Sequence, residues 1–235
     1  MATFVLVPGG WSGGWQWRDV AKYLRAGGHE VFTPTLTGLG ERVHLGRPDV
    51  GLETHIQDII NVIQFEDLSN VILVGYSYSG MVITAVADQI PQRLAHLIYI
   101  DAYVPQNGQS FADILGPQVV AMLRAIAEQY GDGWRVPHNP PDAPFRTDHP
   151  LNTAFQAVHL QHPDALALPR TFIFCTEGKE PGNPIMSPIA QAAARIKDDP
   201  TWHYYELATG HVPWETMPEE LAGILVNAQA HSSGR

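Results

Sequence analysis

One cysteine, Cys175, is all that 235 residues contain, which excludes an intramolecular disulfide and a cysteine-rich metal site. Basic residues are scarce as well: 14 Lys and Arg stand against 24 Asp and Glu, a formal net charge of −10. A nucleic-acid backbone or an anionic membrane surface requires clustered cations, so neither is an expected partner. No apolar run approaches the roughly 20 residues that cross a bilayer. The opening "MATFVLVPGG" carries no basic segment and no cleavage pattern, so a secretory signal is not expected and the default location is cytoplasmic. The glycine-rich stretch "LVPGGWSGGWQW" lacks both G-x-G-x-x-G spacing and the Lys-Ser/Thr of a phosphate loop, which argues against a nucleotide site. No metal or organic cofactor is expected.

What is present is an ordinary globular composition, 45% hydrophobic and 16% charged, in a chain of a length that suits one sizeable core. Short apolar runs read as strands: "TFVLV", "EVFTPTL", "NVILVG", "HLIYID", "RTFIFCT" and "WHYYEL". Several are apolar on both faces, as in a buried parallel sheet. Between them, "WRDVAKYLRAGG" ends in helix-stopping glycines and "ETHIQDIINVIQFE" has apolar residues at helical spacing. This alternation predicts one α/β domain over 1–235, a mostly parallel sheet with helices on both faces. Cys175, inside "TFIFCT", reads as a buried, unreactive thiol. The tail "HSSGR" reads as a frayed end.

From about 105 to 169 the rhythm breaks. No strand is evident there, and Pro, Gly and His accumulate in "YGDGWRVPHNPPDAPFRTDHP". Two helical patterns, "FADILGPQVVAMLRAIAEQY" and "NTAFQAVHLQ", flank that loop. A structureless excursion of this size is uncommon in a compact domain, so an inserted helical lid is predicted.

The stretch "VILVGYSYSG" holds two serines between a buried strand and a helix that begins near Ser79 or Gly80. A nucleophile on a tight strand-to-helix turn needs small residues two positions before and two after it. Ser77 has Gly75 and Ser79 there; Ser79 would have Met81. A serine hydroxyl also needs a base, and His211 lies in the Gly-containing loop of "ELATGHVPWETMPEELAGIL", after the last strand. Among the other histidines, His55, His96, His138, His149, His159, His162 and His203 read as surface or structural groups, with His159 or His162 able to line the lid.

The motif G-Y-S-Y-S-G resembles the elbow G-x-S-x-G of the α/β-hydrolase family, with Ser79 in place of the last glycine. The likeness extends over nearly the whole chain, through "FVLVPGGWSGGWQW", "PRTFIFCTEGK" and "GHVPWETMPEELA". It is closest to the branch of plant methyl-salicylate esterases and hydroxynitrile lyases with their bacterial relatives, and weakest in the lid. The resemblance implies an α/β-hydrolase fold with Ser77 as nucleophile, His211 as base, and the amides of Gly10 and Tyr78 as oxyanion donors. Many relatives begin the oxyanion loop with His-Gly where this chain has Pro8-Gly9.

The acid is the larger departure. Plant relatives resemble C-T-E-D-K after this strand, with the aspartate as acid, whereas this chain reads C-T-E-G-K with Gly178 at that place. Glu177, Glu180 and Asp101 remain as substitutes. Asp101 is favoured, with Glu177 as the alternative, because Asp101 ends a buried strand where an unpaired charge would be costly. Val212 and Gly9 occupy positions where the lyases resemble lysine and threonine, which disfavours cyanohydrin cleavage. Ser77 argues against the epoxide hydrolases and dehalogenases, which need an aspartate at the elbow.

The expected function is hydrolysis of a small carboxylic ester through an acyl-enzyme. Trp11, Trp134, Phe155 and Trp214 are candidate walls of an apolar substrate pocket. The rival readings are an acyltransferase, thioesterase or lactonase of secondary metabolism, and a low-turnover ligand-binding protein on the same fold. The expected partner is the small substrate, and a homodimer is compatible with the sequence.

Overall fold

The computed structural model describes residues 1–140, 143–180 and 182–230; the tail "HSSGR" lies outside them. Its strands are β1 (Thr3–Val7), β2 (Glu30–Phe32), β3 (Val71–Tyr76), β4 (Leu94–Ile100), β5 (Arg135–Val136), β6 (His149–Pro150), β7 (Arg170–Cys175) and β8 (Trp202–Leu207). The helices are α1 (Arg18–Ala26), α2 (Leu52–Phe65), α3 (Ser79–Gln89), α4 (Phe111–Leu115), α5 (Pro117–Tyr130), α6 (Pro163–Leu166), α7 (Ser187–Lys197), α8 (Pro213–Thr216) and α9 (Pro218–Ala230).

Six strands form one parallel sheet in the order β2-β1-β3-β4-β7-β8. Strand side chains alternate between its faces, so each apolar run feeds two cores. Val5, Val7, Leu73, Leu97 and Tyr99 join α2, α3, α5 and α7 on one face. Phe4, Leu6, Val74, Ile98 and Ile100 join α1 and α9 on the other. Apolar residues on both faces of β1, β3 and β4 are thereby explained by helices covering both sides.

Three local expectations are corrected. The run "EVFTPTL" is a strand only through Phe32, because Pro34 has no N–H for the ladder. The pattern from Phe111 to Tyr130 is two helices, broken where Gly116 takes φ +81 and Pro117 starts the second. "NTAFQAVHLQ" is not a helix: after a 3₁₀ turn at Leu151–Ala154 the chain runs extended. There Ala157 bridges Ser110, Val158 N–H donates to Gln109 O, and Leu160 N–H to Asn107 Oδ1. These tertiary partners outcompete the helical period. The 105–169 excursion also holds a two-stranded antiparallel ribbon, β5–β6, in which Val136 faces His149.

Candidate active site

The turn from β3 into α3 forces Ser77 to φ +54, a left-handed conformation that a non-glycine residue holds only when its surroundings enforce it. Gly75 is required by proximity, since a Cβ there would sit 2.9 Å from both Ile83 Cδ1 and Ser79 O. Ser79, which stands where the family motif has glycine, is fully buried. Its Oγ accepts the Tyr76 N–H at 2.7 Å and lies 3.1 Å from Val7 O. Its hydroxyl ties the elbow to β1, and Ser77 is left half-buried and facing outward.

His211 is brought to Ser77 across 134 positions of sequence. Ser77 Oγ donates to His211 Nε2 at 3.0 Å, and His211 Nδ1 donates to Asp101 Oδ2 at 2.6 Å. The imidazole packs on the Tyr76 ring at 4.9 Å, and the Tyr76 hydroxyl donates to the His211 carbonyl at 2.6 Å. Asp101 follows β4 at φ +42 and is completely buried. Its Oδ1 accepts the Cys175 N–H at 3.3 Å, while Oδ2 also receives Lys179 Nζ at 2.5 Å. Glu177 and Glu180 are both exposed on the loop after β7. Among the described residues neither makes a side-chain hydrogen bond or ion pair with His211. Burial pushes the Cys175 thiol well above its usual range, with the Asp101 charge adding to it, so this sulfur stays protonated.

The loop after β1 lies against the elbow. A Cβ at Gly9 would come 3.3 Å from Ser77 Cβ, and one at Gly10 would come 3.8 Å from Tyr78 Cβ. Among the described residues, the amides of Gly10 and Tyr78 donate to no protein acceptor. These two main-chain N–H groups are the candidate donors of an oxyanion cradle.

Behind this cradle sit two histidines whose burial sequence patterning does not reveal. His55 Nε2 donates to Thr37 O at 2.9 Å, so its Nδ1 accepts from the Tyr78 hydroxyl at 3.1 Å. The Thr153 hydroxyl donates to Pro150 O and therefore accepts from His149 Nε2 at 2.9 Å. That leaves His149 Nδ1 to accept the Trp11 N–H at 3.4 Å. Burial lowers His55 to about 4, although Thr37 O and Asp58 pull it back upward. Burial and the neighbouring His55 lower His149 to about 3. Both rings are neutral at ordinary pH, which each acceptor role requires.

The four aromatic residues expected to wall a pocket are dispersed. Trp11, at φ +58, sends its indole N–H to Val136 O at 2.7 Å and packs on His149. Trp214, three positions beyond His211, packs edge-on against Trp15 and lines a cleft of about 860 Å³ with Phe145, Arg146 and His138. Trp134 lines a separate cavity of about 430 Å³ with Gly38, Gly46 and Pro150. Phe155 lies beneath the Arg124 guanidinium, 4.2 Å from its carbon. His162 pairs with buried Asp88 on α3, His159 is exposed, and buried His96 bonds Thr171. Lys179 is the residue that sequence reasoning passed over; its one signal was a cation beside the vacant acid position in C-T-E-G-K.

A carbendazim hydrolyzing esterase of Nocardioides sp. is 55% identical over 115 residues, 49% of this chain and 48% of that protein. Salicylic acid-binding protein 2 of Nicotiana tabacum is 25% identical over 175 residues, 72% of this chain and 65% of that protein. The chain thus spans about half the length of the first of these relatives and about two thirds of the second. An extracellular α/β-hydrolase from a Paenibacillus species superposes with a TM-score of 0.80 at 24% identity, covering 97% of this chain and 99% of that one. The family model described as "Alpha/beta hydrolase family" matches residues 4–224, and the chain belongs to that family.

Proposed function

We propose that the chain is a serine esterase that hydrolyses a small carboxylic ester through an acyl-enzyme. The observation that carries this reading is the imidazole of His211 hydrogen-bonded to Ser77 Oγ on one side and Asp101 Oδ2 on the other. Ser77 Oγ attacks the ester carbonyl carbon while His211 Nε2 takes its proton. Asp101 holds the ring in the Nδ1–H tautomer and faces the imidazolium that forms. The oxyanion is received by the amides of Gly10 and Tyr78. His211 then protonates the leaving alcohol, and water, deprotonated by the same nitrogen, attacks the acyl-serine and releases the acid.

The substrate class draws on the names of relatives: a carbendazim hydrolyzing esterase, Arabidopsis methylesterases and a pyrethroid hydrolase. The 105–169 segment serves as a lid over the oxyanion side. It holds Trp11 through Val136 O, His149 Nδ1 and the Thr147 N–H, which donates to Trp11 O at 3.2 Å. Of the four aromatic candidates, Trp214 follows His211 by three positions and lines the cleft of about 860 Å³.

The test is a pre-steady-state burst of p-nitrophenol from p-nitrophenyl acetate, one equivalent per chain, with loss of burst and turnover in Ser77→Ala. A folded Ser77→Ala variant that keeps wild-type turnover would sink the reading.

A further inference from the structure

One oxygen of the site has two nitrogen donors. Asp101 Oδ2 receives His211 Nδ1 at 2.6 Å and Lys179 Nζ at 2.5 Å. Lys179 reaches it from the loop after β7, beside Gly178 at φ +71. The lysine side chain is only 8% exposed and that of Asp101 0%. Besides the carboxylate, the ammonium meets Met186 Sδ at 3.7 Å and the Phe174 ring at 5.8 Å. A buried ammonium with such partners is held in place chiefly by this one carboxylate.

A counterion serving only to neutralise buried Asp101 would be as well placed at Oδ1, whose hydrogen bond is a 3.3 Å contact from Cys175 N–H. Lys179 instead takes the oxygen that the imidazole uses. Its nitrogen and His211 Nδ1 are therefore at most about 5 Å apart. When His211 accepts a proton, two cations face each other across a single oxygen, and the ammonium opposes that protonation.

We infer that Lys179 is a positioning residue that, through Asp101, sets the lowest pH at which His211 is free to act as a base. The inference rests on the esterase reading above. It makes the relocated acid a three-part unit, to which the loop that carries the acid in plant relatives contributes Lys179.

The other groups around this unit leave that role to Lys179. On β3, Tyr76 packs against His211 and Ser77 donates to it. Cys175 at the end of β7 and Tyr103 after β4 lie near Asp101. Burial drives Tyr76, Tyr103 and Cys175 far upward, so all three remain neutral in the working range. Beyond Tyr76 stand Arg146 and, on α8, Glu215, whose charges are opposite in sign. Among the described residues, Lys179 is thus the one fixed charge in contact with the carboxylate that orients His211.

The sign follows directly. Removing the ammonium makes imidazolium easier to form, so the acid limb of the rate profile must move to higher pH. Two unit charges about 5 Å apart at an effective dielectric of about 20 give a shift of roughly two to two and a half pH units.

The experiment measures kcat/KM for p-nitrophenyl acetate from pH 5 to 9 in wild type, Lys179→Met, Lys179→Gln and Lys179→Arg, after thermal unfolding has verified each fold. The acid limb is expected to rise by about two to two and a half units in the two neutral variants. It should return to within about half a unit of wild type in Lys179→Arg, with KM little changed throughout. Coincident limbs in wild type and a folded neutral variant would overturn the inference. So would the failure of both neutral variants to fold, which would mark Lys179 as a counterion required by the fold. Turnover surviving in Ser77→Ala would instead remove the esterase reading itself, so the two failures are distinguishable.

Discussion

The main-chain N–H of Trp11 is turned onto Nδ1 of His149 at 3.4 Å. Trp11 follows Gly10, whose amide is the proposed oxyanion donor, and His149 belongs to the ribbon inside the excursion. The ring therefore anchors the peptide that follows Gly10, the proposed oxyanion donor. His149→Phe keeps the ring volume and removes the acceptor. It should lower kcat by about ten- to a hundredfold with KM little changed, less than the two to three orders of magnitude for deleting an oxyanion donor outright. Steady-state kinetics on a short-chain nitrophenyl ester decides it, and an unaltered kcat would refute the role given to this ring.

Acid should unfold the protein through the two buried imidazoles. His55 and His149 are lowered in the folded state to about 4 and about 3, whereas unfolded histidine titrates near 6.5. Their neutral forms thus contribute stability that is fully present above about pH 6.5 and is lost as pH falls toward 4 and 3. Urea midpoints at pH 7, 5.5 and 4.5 should drop steadily, and His149→Phe should flatten that slope. Equal slopes in the two proteins would contradict the assignment.

The two serines of the elbow should separate by phenotype. Ser77→Ala should lose turnover with its melting temperature nearly unchanged. Ser79→Ala leaves the Tyr76 N–H without its buried acceptor, at a cost of about 1–3 kcal/mol. In a chain of this length that is a fall of several degrees in Tm. Calorimetry beside an activity assay reads both outcomes.

For the acid, Asp101→Asn should reduce kcat by about two to four orders of magnitude, following the behaviour of triads whose aspartate is amidated. Glu177→Gln, at an exposed loop position, should stay within about twofold of wild type. Turnover compared at matched far-ultraviolet circular dichroism separates the two, and near-native activity in Asp101→Asn would remove Asp101 from the mechanism.

Much of the fold was readable because strands buried on both faces are apolar throughout. The runs at Thr3–Val7, Val71–Tyr76 and Arg170–Cys175 carry that mark, and Pro34 and Gly116 were the visible reasons for two shortened elements. The stretch from Asn152 to Gln161 was misread because its amides bond to residues 107–109, which no local period encodes. Within the site, Ser77 and His211 announce themselves by small neighbours and by a glycine-bearing loop. Their approach to Asp101 depends on strand order. His55, His149 and Lys179 are polar side chains whose importance comes from what tertiary packing sets beside them, and the linear pattern marks only Lys179, by its place in C-T-E-G-K.

Trp11 is gripped at three points by the ribbon and the residues next to it: at its indole, its amide and its carbonyl. A chimera that replaced residues 105–169 with the corresponding segment of another hydrolase would also remove the partners that hold Trp11 beside the proposed oxyanion donor. Transplants into this protein would have to carry acceptors equivalent to Val136 O and His149 Nδ1 along with whatever new binding surface they bring.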